Sequence, residues 1–248
     1  MLAYILVGLA GFIAGAQNAI AGGGSFLTFP ALLFAGLDPR AANINSTIAL
    51  FPAQVGIGWS GRNMAEGAAH LSLRTLFTVS VIGGGIGAVL LLATPVSVFT
   101  HLVPWLILFA TLVFIWGSFF AKKRAEDEPP PVSARTGIVM QFLIAVYGGY
   151  FGGGIGILML AALTAAGLSV RHAGATKNVL AGVVNIAAVV IFVVHSHINW
   201  HLAADQCVMA IIGGQLGVYI LRRAPQALLR IVISAIGIAL TVGMFLRG

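Results

Sequence analysis

The sequence predicts an all-α, polytopic membrane protein made of two inverted-topology repeats, with short broken helices at glycine triplets. Three observations carry this prediction. First, 59% of the 248 residues are hydrophobic and only 8% are charged. A soluble domain of this length cannot hide that much apolar surface. Second, the chain nearly repeats itself: Gly36-Leu37-Asp38-Pro39-Arg40-Ala41-Ala42 returns as Gly167-Leu168-Ser169-Val170-Arg171-His172-Ala173, both reading G-L-x-x-R-x-A. Third, each copy follows a glycine triplet, Gly22-Gly23-Gly24 in one half and Gly152-Gly153-Gly154 in the other. Doubled units with matched glycine breaks in an apolar chain are a mark of transporters built from two repeats.

Taken in order, the apolar stretches of the first half run near 2–20, 24–36, 42–60, 73–93 and 98–120. Those of the second run near 136–151, 154–167, 173–195, 203–221 and 227–246. Runs of about 20 residues can cross a bilayer. The first two stretches of each half are shorter and meet at a triplet. They read as half-helices, either re-entrant or tilted, and such backbone is tolerated at membrane depth only beside protein or a watery cavity. Residues 1–20 read as retained. Ala14-Gly15-Ala16 resembles a signal-cleavage site, but no basic residue precedes Arg40.

Five stretches per half is an odd number, so the second half enters the membrane upside down relative to the first. Residues 1–121 form the first transmembrane repeat, 122–135 a polar cytoplasmic linker and 136–248 the second repeat. The linker carries Lys122, Lys123, Arg124 and Arg135, with Glu126-Asp127-Glu128 and Pro129-Pro130-Pro131 between them. Counting outward from it puts Arg62, Arg74, Arg171, Arg222, Arg223 and Arg230 on the same side, and Lys177 a little deeper. Only Arg40 and Arg247 fall opposite. Basic residues favour the cytoplasmic side. The linker is therefore predicted to be cytoplasmic, with both termini on the outer side.

Composition also excludes some classes. The formal charge of +7 sits in short loops between apolar segments, which speaks for orientation in a lipid bilayer and against a nucleic-acid partner. Glycine supplies 32 of the 248 residues, nearly twice the usual ~7%, which suits close helix packing. The lone Cys207 rules out an intrachain disulfide and a cysteine metal cluster. No glycine pattern matches a nucleotide fingerprint, and no cofactor is expected. A homodimer is compatible with this reading.

Several residues are candidates for substrate contact. Gly23, Gly24, Gly153 and Gly154 precede short apolar helices. Helix amino ends offer free N–H groups and partial positive charge, both suited to an anion; tight helix packing explains glycines there equally. Asn43, Asn45, Ser46 and Thr47, then Gln54, follow the first motif; Thr176, Lys177 and Asn178, then Asn185, follow the second. The repeat offset pairs Asn45 with Thr176, Ser46 with Lys177, Thr47 with Asn178 and Gln54 with Asn185. Polar groups inside a span mark interhelical hydrogen bonds or a substrate path. Lys177 stands out as a charge inside an apolar helix with no acid near it in sequence, although a snorkelling lysine has the same appearance. Arg40, on the side that orientation disfavours, is a candidate anion collector at an external mouth, a helix cap or a lipid-phosphate contact. Gln17 and Asn18 could face the same cavity or cap a helix.

Outside the linker the acids are Asp38, Glu66 and Asp205, all near predicted span ends. Cation carriers usually place an acid within the membrane, so this inventory favours an anion. His195-x-His197-x-x-x-His201 has spacing a metal could accept, but it lies in an interfacial loop and no metal is expected. An intramembrane hydrolase lacks a placeable base beside Ser25.

The motifs Gly11-Phe12-Ile13-Ala14-Gly15, Ala21-Gly22-Gly23-Gly24-Ser25-Phe26-Leu27, Pro30-Ala31-Leu32-Leu33 and Gly36-Leu37 resemble the first repeat of the sulfite exporter TauE/SafE family. Gly148-Gly149-Tyr150-Phe151-Gly152-Gly153-Gly154-Ile155-Gly156, Gly167-Leu168 and Ala175-Thr176-Lys177-Asn178 resemble its second repeat. The resemblance covers nearly the whole chain. It implies an inner-membrane carrier, commonly an exporter, of small sulfur-containing anions such as sulfite, sulfonates or thiosulfate. The expected protein is thus not an enzyme but an alternating-access transporter, its anion held near the midplane between the two breaks. An anion channel and a non-transporting membrane enzyme or assembly subunit are the rival classes.

Overall fold

The computed structural model describes residues 1–20, 22–116, 119 and 132–221, with scattered positions between 231 and 246. Linker residues 122–131 and most of the expected stretch 227–246 lie outside the described residues. Nine α-helices are described: α1 (Leu2–Ile20), α2 (Ser25–Phe34), α3 (Pro39–Gly61), α4 (Leu73–Ala93), α5 (Val96–Ile115), α6 (Ala134–Tyr150), α7 (Ile155–Ala165), α8 (Val170–His195) and α9 (Trp200–Leu221). Among the described residues there is no strand, only an isolated bridge between Ala68 and Leu71. The protein is an all-α polytopic membrane protein. Among the described residues, three helices, α4, α5 and α8, are long and apolar enough to cross a bilayer. Their outward faces carry large exposed side chains such as Ile82, Val89, Trp105, Leu112, Val190 and Val194.

Helix lengths refine the sequence reading. α1 has 19 residues, or about 28 Å at ~1.5 Å per residue, close to the ~30 Å hydrocarbon core. The half-length elements are α2 and α7, with 10 and 11 residues. Each first stretch is thus nearly a full span, and each second stretch stops about halfway.

The repeated G-L-x-x-R-x-A motif has a structural cause. Gly36 and Gly167 both sit in the left-handed region, at φ +94° and +101°. Gly36 N donates to the Leu33 carbonyl and Leu37 N to that of Leu32; Gly167 N and Leu168 N do the same to Thr164 and Leu163. These are Schellman closures of α2 and α7, where glycine avoids the Cβ penalty. Two residues on, Asp38 accepts from Arg40 N and Ala41 N, and Ser169 accepts from His172 N, so each opens the next helix. The motif therefore reverses the chain from a half-length helix into a long one.

Packing follows the doubling of the sequence. α1 lies along α9 and α6 along α4; α3 also touches α9, and α8 touches α4; α3 and α8 contact each other. Exchanging α1 with α6, α3 with α8 and α4 with α9 maps these neighbours onto themselves. Glycine makes the closest pairs possible. A Cβ at Gly15 would run into the Ala210 carbonyl, one at Gly213 into the Phe12 carbonyl, one at Gly87 into the Val146 carbonyl and one at Gly149 into the Gly84 carbonyl. In lipid, helices associate through this kind of van der Waals contact.

Gly15→Val and Gly87→Val should each separate a helix pair and destabilise the folded protein, by about 1–3 kcal/mol or more. Gly56→Ala, where a Cβ meets nothing within 4 Å, should leave stability unchanged. Thermal melting of the purified variants in detergent checks the contrast.

Candidate substrate-binding site

The two chain breaks meet inside the protein. Gly22 and Gly23 link α1 to α2 at φ +81° and +87°; Gly152 and Gly154 link α6 to α7 at φ +76° and +77°. Only glycine adopts these angles without strain. A Cβ on Gly22 would lie 3.0 Å from Gly156 Cα, so the first break touches the start of α7. The first break is braced by its own helix. Asn18 Oδ1 accepts from Gly24 N at 2.8 Å, and Gln17 Nε2 donates to the Gly22 carbonyl at 3.2 Å. Tyr147 of α6 donates from its hydroxyl to the Gly153 carbonyl at 2.7 Å.

A cavity of about 20 Å³ lies where the breaks, α3 and α8 converge. That is room for about one water. The first break contributes Asn18, Gly22, Gly23 and Ser25, and the second Gly152, Ile155 and Gly156. α3 adds Gln54 and Ile57; α8 adds Lys177, Asn178 and Ala181. This lining holds one cation and no carboxylate. Lys177 is 3% exposed, and among the described residues its ammonium makes no hydrogen bond or ion pair. An unpaired charge in this setting is costly, which makes the cavity receptive to an anion.

Beside the cavity, Asn185 Nδ2 donates to Gln54 Oε1. These two side chains occupy corresponding positions in the two halves, 131 residues apart, and they meet each other. The α3–α8 contact is therefore built around one pair of repeat-related amides.

The structure brings together only some of the residues singled out in the sequence. Gly23, Lys177 and Asn178 line the cavity, and Gln17 supports its wall. Other candidates are engaged elsewhere. Asn45 Nδ2 donates to the Ala41 carbonyl, and Asn45 Oδ1 accepts from Asn199 N at 3.0 Å, pinning the turn before α9. Its counterpart Thr176 does the same before α4, donating to the Glu66 carbonyl and accepting from Glu66 N. Ser46 Oγ lies 2.6 Å from Thr28 Oγ1, and Thr47 Oγ1 donates to the Asn43 carbonyl. Gly24 N is taken by Asn18, Gly153 gives its carbonyl to Tyr147, and Gly154 faces Ala110 and Phe26. Arg40 lies apart from the cavity and donates to the Thr94 carbonyl at 3.0 Å. Gln54, which the offset pairs with Asn185, also lines the cavity, as do Ser25, Gly22 and Gly152.

Asp205 lies in the second turn of α9, near the amino end of that helix, and its Oδ2 is buried without a hydrogen bond.

Residues 7–244 match the family model described as Sulfite exporter TauE/SafE. The chain belongs to this family. A "Probable membrane transporter protein" of Haemophilus influenzae is 28% identical over 240 residues, covering 94% of this chain and 91% of the relative. The "Probable membrane transporter protein ORF9" of Sinorhizobium sp is 30% identical over 226 residues, covering 88% and 82%. The "Probable membrane transporter protein YfcA" of Escherichia coli K12 is 26% identical over 245 residues, covering 95% and 89%. Family and relatives thus point to a membrane transporter.

The amide pair gives a direct prediction. Gln54→Leu and Asn185→Leu should each destabilise the protein by about 1–3 kcal/mol, because each leaves a buried amide unpaired. The double variant should recover much of that loss. A double-mutant cycle of unfolding free energies measures the coupling, and additive losses would show that the two amides act independently.

Proposed function

We propose that this protein carries small sulfur-containing anions, such as sulfite or a sulfonate, across the cell inner membrane by alternating access. The observation that carries the reading is Lys177: a buried ammonium without a partner, lining a carboxylate-free cavity between two glycine breaks. In this reading Lys177 supplies the charge, and the side chains of Asn178 and Ser25 supply hydrogen bonds. A weakly hydrated anion loses less on entering such a site than a strongly hydrated one. The sulfur chemistry is supported by the family.

The two halves act as inverted repeats, residues 1–121 and 136–248, joined by a cytoplasmic linker. Ile57 lies toward the Arg62 end of α3, and Lys177 toward the Arg171 end of α8. The cavity therefore lies on the basic, cytoplasmic side of the Gln54–Asn185 pair. The repeat-related positions on the opposite side hold Ser46 and Thr47, whose hydroxyls are already bonded to Thr28 and to the α3 backbone. Rocking one repeat against the other would close the first side and open the second. With neutral hydroxyls facing the far side, the anion moves away from Lys177 as that side opens, which fits export.

Lys177→Met should abolish uptake of sulfite or methanesulfonate into proteoliposomes while the protein inserts and melts normally. Lys177→Arg should fail as well, because a planar fork does not replace a compact ammonium. Full activity in Lys177→Met would overturn the site. Saturable flux is expected; flux that never saturates would point to a channel.

Orientation is testable separately. In a Cys207→Ser background, a cysteine at Arg74 should be protected from impermeant thiol reagents in intact cells, and one at Asn199 should react. Labelling at Arg74 from outside would reverse the topology.

A further inference from the structure

Lys177 is not the sole donor left without an acceptor at its cavity. Asn18, near the end of α1, is 7% exposed and lines the same space. Its Oδ1 accepts from Gly24 N at 2.8 Å. That bond fixes the sense of the amide, since the flipped amide would set N–H against N–H. Nδ2 is therefore the free end. It is buried and, among the described residues, has no hydrogen bond. A donor left unmade inside a protein is costly, and bracing the break does not require one. An aspartate here would accept the same bond from Gly24 N and give Lys177 a counter-charge. The asparagine leaves both donors open.

Neither donor has a double in the other half. The repeat offset sets Asn18 against Gly149, where a Cβ would run into the Gly84 carbonyl, so no side chain fits. It sets Lys177 against Ser46, whose hydroxyl is paired with Thr28. The two donors also belong to different groups of helices. α1 packs on α9, α2 and α3, while α8 packs on α4, α7 and α6. These groups meet where α3 touches α8.

We infer that Asn18 is a substrate contact: its Nδ2 and the Lys177 ammonium form a split seat for an oxyanion, one donor from each half of the chain. The inference rests on the anion-carrier reading above and names a residue of that site which the charge alone does not single out. Lys177 supplies attraction, and the braced amide supplies direction, because its Oδ1 is already tied to the break. Movement of one helix group against the other parts the amide from the ammonium. The anion then keeps at most one of the two, so its affinity differs between the two arrangements. That difference is what couples binding to movement.

Calorimetric titration of the purified protein in phosphatidylcholine nanodiscs with methanesulfonate tests the seat, beside melting temperatures. Asn18→Asp keeps the acceptor for Gly24 N and sets a carboxylate in the cavity of Lys177. It should melt no lower than the wild type and bind methanesulfonate about tenfold more weakly or worse, the loss expected for a hydrogen bond to a charged ligand. Asn18→Ser removes the amide without adding charge, and its affinity should fall by a similar factor. A residue that only braces the break would give the opposite pattern: Asn18→Asp would bind methanesulfonate like the wild type, and that result would overturn the inference. Wild-type affinity in Asn18→Ser would overturn it equally, and this variant decides the matter should Asn18→Asp fail to fold. Binding lost in Lys177→Met but kept in both Asn18 variants would sink the split seat and leave the anion-carrier reading standing. A wild-type protein that binds neither methanesulfonate nor sulfite would sink that reading, and the seat with it.

Discussion

Every part of this structure answers to one constraint: inside a bilayer, a helix that stops must have its backbone polar groups satisfied by protein. α2 and α7 stop about halfway. Their carboxyl ends are closed by Schellman turns at Gly36 and Gly167, and the helices that follow are opened by Asp38 and Ser169. The amino end of α2 is braced by Asn18. These closures let two short helices end inside the protein and bring their breaks together. The cavity exists because the backbone around it has been accounted for elsewhere.

Close packing supports the same arrangement. Gly11 and Gly15 seat α1 against α9, and Gly83, Gly87 and Gly149 seat α4 against α6. With backbones in contact at these two pairs, α3 and α8 are left to meet at the centre, where Gln54 and Asn185 bond across the junction. Lys177 lies about two turns along α8 from that junction. Among the described residues it has no counter-charge, and this is the property on which an anion site depends.

Fold class was legible because hydropathy and glycine breaks are local properties. The stretch 73–93 is α4 to the residue, and 2–20 is α1. The G-L-x-x-R-x-A motif announced the repeat, yet its own work is chain reversal, since a helix cap and a ligand contact use the same residue types. The site was legible only in part. Lys177 and Asn178 could be found because a charge within an apolar run is conspicuous. Asn45, Ser46 and Thr47 looked equally suitable, but their hydrogen bonds to Asn199, Thr28 and Asn43 depend on tertiary neighbours that no local pattern encodes.

The central claim is that an anion binds at Lys177 between the glycine breaks. The most direct test is an experimental structure of the protein soaked with selenite, a heavier oxyanion that scatters anomalously. The account predicts an anomalous peak with its oxygens about 3 Å from Lys177 Nζ and from Asn178, in a widened cavity. A peak elsewhere, with Lys177 still buried and unpaired, would contradict it.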